Sequence, residues 1–310
     1  MPAMKHIRIA TRNSPLAMWQ AEHVRIRLQQ LYPGLVVELV GISTTGDSIQ
    51  DAPLAAAGGK GLFVKELEQA LVDSKADIAV HSMKDVTVDV PQGLAIPAIM
   101  ERADVRDVFI SPTCKLFVDL PAGASIGTSS LRRECQLRAL RPDIRVNFLR
   151  GNVGTRLRRL DEGRFDAIIL AAAGVTRLGF EQRINQYLDM DLMLPAPGQG
   201  AIGIETRADD QNVIALLAPL DHAATHLQVK AERAFSRRLY GGCRLPIAAY
   251  ARLTGDTMTI RGLVGRIDGT AVISDHITGE MQEGEALGAE LAEKLIGQGA
   301  DVILREIANV

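Results

Sequence analysis

The chain has 310 residues, 47% of them hydrophobic and 23% charged. That balance excludes a disordered chain and, at about 150 residues per domain, predicts two or three domains. Lysine and arginine number 35 against 37 acids, for a net charge of −2, and aromatics make up 4%. This argues against nucleic-acid binding driven by overall charge or by stacking platforms, while leaving room for a local basic cleft. No apolar run long enough for a membrane span exists, and residues 1–10 carry Lys5, His6 and Arg8 where a secretory signal would be apolar, so a soluble, cytoplasmic protein is expected. Cys114, Cys135 and Cys243 are far apart, with no CxxC and no Cys/His cluster; neither a disulfide framework nor a metal site is expected.

Residues 6–10 read as a short strand. Ser14 as N-cap and Pro15 at the first helical position then open a helix whose buried stripe is Ala17, Ala21, Val24, Leu28 and Leu31. Residues 35–41 are strand-like, Phe63, Leu67, Ala70 and Leu71 mark an amphipathic helix, and 77–81 form a short buried strand. The same grammar returns: residues 125–127, then Thr128-Ser129-Ser130 and a helix from Leu131, a helix marked by Val153, Leu157 and Leu160, and a buried strand at 166–170. The repetition predicts two α/β domains of similar build facing each other across a cleft. Proline and glycine at 97–100 and 195–200 predict segment joins. From about Asp221 come a helix (224–239), three β segments (247–253, 258–264, 270–277), a helix (283–296) and a short strand (301–304), a smaller α+β domain.

The strongest local anomaly lies between Ile126 and Leu160, where nine arginines, no lysine and two acids give a net charge of +7. Arginine over lysine suggests planar, bidentate recognition of carboxylate or phosphate. Arg158 and Arg159 lie opposite the apolar stripe and are expected to face water, whereas Arg156 lies beside it. Arg132 and Arg133 follow Thr128-Ser129-Ser130 at a helix N-terminus, where amides, hydroxyls and guanidinium groups make an anion site, with a solvated basic surface as the alternative. Arg12 and Ser14 hold the matching position of the first domain. A polyanion gripped from both sides is the ligand this predicts.

Lys84 and Asp85 directly follow the strand at 77–81, and ligands of open α/β sheets bind outside the carboxyl ends of strands. A surface pair is the competing reading. Among so many arginines, one carboxylate is the group that can hold a developing cation or accept a proton. His81 reads as a hydrogen-bonded core histidine. Gly58-Gly59-Lys60-Gly61 lacks the GxxxxGK[ST] spacing and reads as a loop before a helix, with Lys60 and Phe63 near its start. Gly241 and Gly242 clear space around Cys243, and Arg244 favours its thiolate; a packed cysteine is the alternative. Cys114 and Cys135 read as structural.

Taken together, these segments resemble the porphobilinogen deaminase family. The motifs are 11–17 (TRNSPLA), 58–66 (GGKGLFVKE), 81–85 (HSMKD), 127–133 (GTSSLRR), 149–156 (LRGNVGTR), 195–200 (PAPGQG) and Glu232-Arg233 leading to Gly241-Gly242-Cys243, in the family's order over about four-fifths of the chain. The resemblance implies two periplasmic-binding-protein-like α/β domains flanking a cleft plus a smaller C-terminal α+β domain. Domain 1 is then residues 1–99 and 200–219, domain 2 residues 100–199, and domain 3 residues 220–310. It implies the head-to-tail joining of four porphobilinogen molecules with loss of ammonia, on a dipyrromethane cofactor linked by a thioether to Cys243. By the same resemblance Lys84, Ser129, Arg132 and Arg133 hold the cofactor. Arg12, Ser14, Arg150, Arg156 and Arg177 bind substrate, Asp85 is catalytic, and Lys60 and Phe63 belong to an active-site loop. No metal, nucleic acid, membrane or second subunit is implied. Two positions depart from the family pattern: Ala55-Ala56-Ala57 replaces a frequent lysine before the glycine-rich loop, and Leu245 stands where a β-branched residue is usual before Pro246. The rival class is a non-catalytic, bilobed polycarboxylate-binding protein, which gives Cys243 and the third domain no role.

Overall fold

The structure, a computed structural model of the chain, is described for residues 4–48, 61–239 and 245–308. In chain order the elements begin with β1 (His6–Arg12), α1 (Pro15–Leu31), β2 (Val36–Ile42), the single turn α2 (Thr45–Ser48), α3 (Lys65–Val72), β3 (Ile78–Ser82) and β4 (Leu94–Ile99). There follow β5 (Asp107–Ile110), β6 (Ser125–Gly127), α4 (Leu131–Leu140), β7 (Arg145–Asn147), α5 (Val153–Asp161), β8 (Ala167–Ala171), α6 (Ala172–Arg177) and β9 (Gln186–Leu188). The chain closes with β10 (Ile202–Arg207), α7 (Gln211–Leu217), α8 (Ala223–Arg238), β11 (Ile247–Thr254), β12 (Thr257–Gly265), β13 (Val272–Glu280), α9 (Gly284–Gly297) and α10 (Ala300–Ala308). Two compact units result, Met1–Ala103 with Ala201–His226, and Asp104–Gly200 with Leu227–Val310.

The first unit is built on a five-stranded sheet of order β2-β1-β3-β10-β4. β1 runs parallel to β2 and β3, and β10 is antiparallel to β3 and β4. Both faces are covered, which is why these strands read as apolar runs rather than alternating ones. Ile7, Ile9, Ile78 and Val80 pack under α1 and α7, while Ala10 and Ala79 face Leu67, Ala70 and Leu71 of α3. Pro97 does not end a segment as expected. It lies inside β4, an edge strand, where a missing N–H leaves no ladder bond broken.

The second unit carries a sheet of order β7-β6-β8-β5-β9, with β6 parallel to β7 and β8, and β5 antiparallel to β8 and β9. This is the first unit's pattern strand for strand, so the repeated grammar of the sequence reflects a repeated topology. Phe109, Ile126, Ala167 and Ile169 face Leu137 of α4, and Val108, Ile110, Ile168 and Leu170 face Leu157 and Leu160 of α5, the period-two alternation of a doubly covered sheet. In the same unit the antiparallel sheet β11-β12-β13 packs on α8, α9 and α10 around Phe235, Ile260 and Leu291. Cys135, fully buried, joins α4 to this sheet through Ala248 and Leu263. The expected strand at 301–304 is instead the start of α10: Ala300, Ile303 and Leu304 are buried at helical spacing, a run too short for its period to be read from sequence.

Candidate functional site

In the first unit Arg12, Ser14, Gln20, Phe63, His81, Ser82 and Asp85 line one small recess of about 50 Å³. Ser14 is the N-cap of α1, its Oγ accepting the Ala17 amide at 3.4 Å. Arg12, the last residue of β1, meets Asp47 in a two-pronged pair, Nε–Oδ2 3.1 Å and Nη2–Oδ1 2.5 Å. Its guanidinium also lies over the Phe63 ring, 4.2 Å from the centroid. Burial works against the Asp47 charge, yet hydrogen bonds from Arg12 and Thr44 outweigh it and hold the carboxyl below the ordinary range. Residue 46 must be glycine here, because a Cβ would stand 2.2 Å from the Phe63 ring.

Asp85 and Lys84 are half-buried in a 3₁₀ turn, Met83–Asp85, at the carboxyl end of β3. The turn is tied to the sheet by the Met83 amide, which donates to the Ala201 carbonyl at 3.0 Å. Gln20 Nε2 donates to Ser82 Oγ at 2.8 Å. His81 is a core histidine, its Nε2 2.8 Å from the buried Glu205 carboxylate. Burial, reinforced by Glu205, pushes the neighbouring Glu68 carboxyl above its usual range.

In the second unit the residues read as an anion site lie at the N-terminus of α4. Ser130 caps α4 by accepting the Arg133 amide at 3.4 Å, and Ser129 beside it is half-buried. Arg132 and Arg133 are 4% and 5% exposed, so the alternative of a solvated basic surface does not hold for these two. Both forks turn onto Asp107, the fully buried first residue of β5, with N–O distances of 2.8 Å each. Arg132 Nη1 also donates to the Leu194 carbonyl, 2.7 Å, and Arg133 Nη1 to the Ile169 carbonyl, 3.0 Å. Burial opposes the Asp107 charge, but the two arginines outweigh it and hold the carboxyl far below the usual range. Gln199 Nε2 completes the cluster, donating to Asp107 Oδ1 at 3.0 Å and to the Val105 carbonyl at 2.7 Å.

The other candidate arginines of this unit have partners of their own. Leu149 donates its amide to the Thr128 carbonyl at 3.3 Å, which sets the turn carrying the buried Arg150 against the one carrying Ser129. Arg156, in the first turn of α5, donates from Nε to the Gly151 carbonyl at 2.7 Å. Arg177 donates to the Gly200 carbonyl at 2.8 Å, and burial pulls its pKa down to about 10, so it stays charged at neutral pH. Arg158 is exposed, but Arg159 is not: half-buried, it donates to the Arg150 carbonyl at 3.3 Å. Lys60 and Cys243 lie outside the described residues. Cys135 is inert, burial pushing its thiol up to about 12, and Cys114 is half-buried beside the core of the second unit.

Four polar residues at these sites were given no role from the sequence: Gln20, Asp47, Asp107 and, within the motif at 195–200, Gln199. Gln20 falls on the buried stripe of α1, and Asp107 opens an otherwise apolar strand. A polar residue on an apolar face was the available signal. Asp47 carried none, and the motif at 195–200 marked Gln199 without revealing its partner, since each is defined by partners distant in sequence.

Residues 7–215 match the family model described as porphobilinogen deaminase, dipyromethane cofactor binding domain, and residues 226–297 match that of the porphobilinogen deaminase C-terminal domain. Among solved structures, the chain is similar to the periplasmic VFT2 domain of Bordetella pertussis BvgS, at 17% identity over 69% of this chain and 86% of that one, TM-score 0.43. A putative methionine-binding lipoprotein from Bacillus subtilis is similar at 14% identity over 70% and 90%, TM-score 0.44. The periplasmic aliphatic sulphonate binding protein SsuA from Escherichia coli is similar at 16% over 76% and 70%, TM-score 0.41. On the two family matches, the chain belongs to the porphobilinogen deaminase family, transferases of tetrapyrrole biosynthesis built around a dipyrromethane cofactor.

Proposed function

We propose that the protein is a hydroxymethylbilane synthase that joins four porphobilinogen molecules head to tail on a dipyrromethane primer held by a thioether to Cys243. Each addition forms one bond, from the aminomethyl carbon of the incoming unit to the free α-carbon of the preceding ring. Ammonia leaves, the ring carbon loses its proton, and water adds when the linear tetrapyrrole is released. The bound dipyrromethane supplies that first free α-carbon and a set of carboxylates.

The observation that carries this reading is the charge count at Asp107. Two buried guanidinium groups face one carboxylate, and the Nε of each has no hydrogen-bond partner among the described residues. Buried unpaired donors are costly, about 1–3 kcal/mol each and more when charged, so the cluster fits a ligand carboxylate. In this reading Arg132, Arg133, Ser129 and Lys84 bind the cofactor's acid groups. Arg12, Ser14, Arg150, Arg156 and Arg177 orient the acetate and propionate of incoming units, with Lys60 and Phe63 in a loop beside them. Asp85 holds the positive charge that develops on a pyrrole nitrogen as ammonia leaves, and then receives the ring proton. No arginine can accept that proton. The three-domain division at 1–99 with 200–219, 100–199 and 220–310 belongs to the same proposal.

The test is the stoichiometry of turnover. Purified protein given porphobilinogen is expected to release four ammonia per linear tetrapyrrole, and Cys243→Ser to release none. Saturable porphobilinogen binding without ammonia release would favour the passive polycarboxylate-binding protein instead.

A further inference from the structure

We infer that Asp107 is a positioning residue for cofactor binding: it clamps Arg132 and Arg133 and leaves the pair one net positive charge, enough for one ligand carboxylate rather than two. The inference rests on the proposed role of the two arginines. Asp107 has no exposed surface, and its two oxygens are divided between the forks, Oδ2 to Arg132 Nη1 and Oδ1 to Arg133 Nη2. Gln199 donates to Oδ1 as well and so fixes the plane of the carboxylate. Nη1 of each guanidinium also donates to a carbonyl, Leu194 for Arg132 and Ile169 for Arg133. The Nε of each side chain is buried and has no hydrogen-bond partner among the described residues, and Asp107 Oδ2 meets Arg132 as an ion pair without a hydrogen bond.

The neighbouring groups do not supply the missing charge. The Cys135 thiol beside Arg132 is driven by burial to a pKa of about 12 and is neutral at neutral pH. Glu134, on the same helix, is paired with Arg138 at 2.9 Å. Without Asp107 two like charges would stand side by side in a desolvated site, and the forks would part. With it, their free edges are held in one fixed geometry before any ligand arrives, which reduces the ordering cost of binding. One ligand carboxylate would neutralise the cluster, and a second would leave it net negative.

Two measurements on the full chain test this. The first is the fraction of purified protein carrying the mass of a dipyrromethane, in wild type and Asp107→Asn. The second uses the Cys243→Ser background, which lacks the tether, and follows the thermal midpoint against added succinate at constant ionic strength. The Asn variant should lower the loaded fraction and raise the succinate half-point by about tenfold or more, the scale of losing one partner of a buried charge pair. Should that variant not fold, Asp107→Glu decides: it keeps the charge but displaces both forks, and should weaken succinate by about threefold or more. A purely structural Asp107 would lower the melting temperature yet leave the succinate half-point of the folded protein unchanged, and that result overturns the inference. Absence of the added mass from wild type would refute the tether, not Asp107, on which the succinate titration then rules.

Discussion

The openings of the two units make an instructive pair. β1 into α1 and β6 into α4 share a central parallel strand, a buried threonine and a serine N-cap. Yet they spend their arginines differently. Arg12 precedes its helix, keeps part of its surface and meets an Asp47 that is also part-exposed. Arg132 and Arg133 lie inside the first turn of theirs and are driven inward onto a carboxylate with no surface at all. A shift of a few residues relative to the cap turns a recess-lining charge into a buried one. The part-buried Asp47 pair can exchange for a ligand at lower cost than a fully buried one, since fully exposed pairs are worth only about 0–1 kcal/mol. The Asp107 pairs cannot, since breaking a buried pair costs about 3–5 kcal/mol.

The largest effect that would sharpen this contrast lies at Asp85. Asp85→Ala should reduce turnover by about 10²–10⁴, the range for removing a general acid–base group, with an unchanged far-UV circular dichroism spectrum. Normal turnover would remove the carboxylate from the mechanism. Next comes the direct comparison of arginines by denaturant unfolding. Arg133→Gln should destabilise its unit by about 3–5 kcal/mol, and Arg12→Gln by under about 1 kcal/mol while still impairing turnover. Equal losses at the two positions would break the comparison.

Acid provides a third handle. A carboxyl whose folded pKa is depressed stabilises the fold above its unfolded value and loses that contribution as pH falls towards the folded value. Asp107 is depressed by its two arginines against the opposing effect of burial. The stability gap between wild type and Asp107→Asn should therefore be constant above the ordinary aspartate value of about 4 and narrow below it. A gap that widened on acidification would contradict the pairing. The smallest effect is at the caps: Ser14→Ala and Ser130→Ala should each cost about 1 kcal/mol, and by similar amounts, because the two caps share one geometry.

What could be read from the sequence was local or periodic. Ser14 with Pro15, the Val153/Leu157/Leu160 stripe and the doubly buried strand around Ile168 declared themselves because each depends on neighbours within a few residues. Segment 301–304 misled because four residues do not separate a period of two from one of 3.6. The inward turn of Arg132 and Arg133 was out of reach for another reason. Their partner Asp107 precedes them by about two dozen residues and meets them only because β5 runs antiparallel beside β8 in the finished sheet. The Arg12–Asp47 pair is similar: the motif at 11–17 identifies the arginine, and only the fold reveals what holds it.

The account stands or falls on a covalent primer. Intact-mass spectrometry of the purified, active protein, followed by peptide mapping, tests it directly. The expected result is one dipyrromethane unit above the sequence mass, carried by the peptide containing Cys243 and absent from Cys243→Ser. Active protein at the bare sequence mass would contradict it.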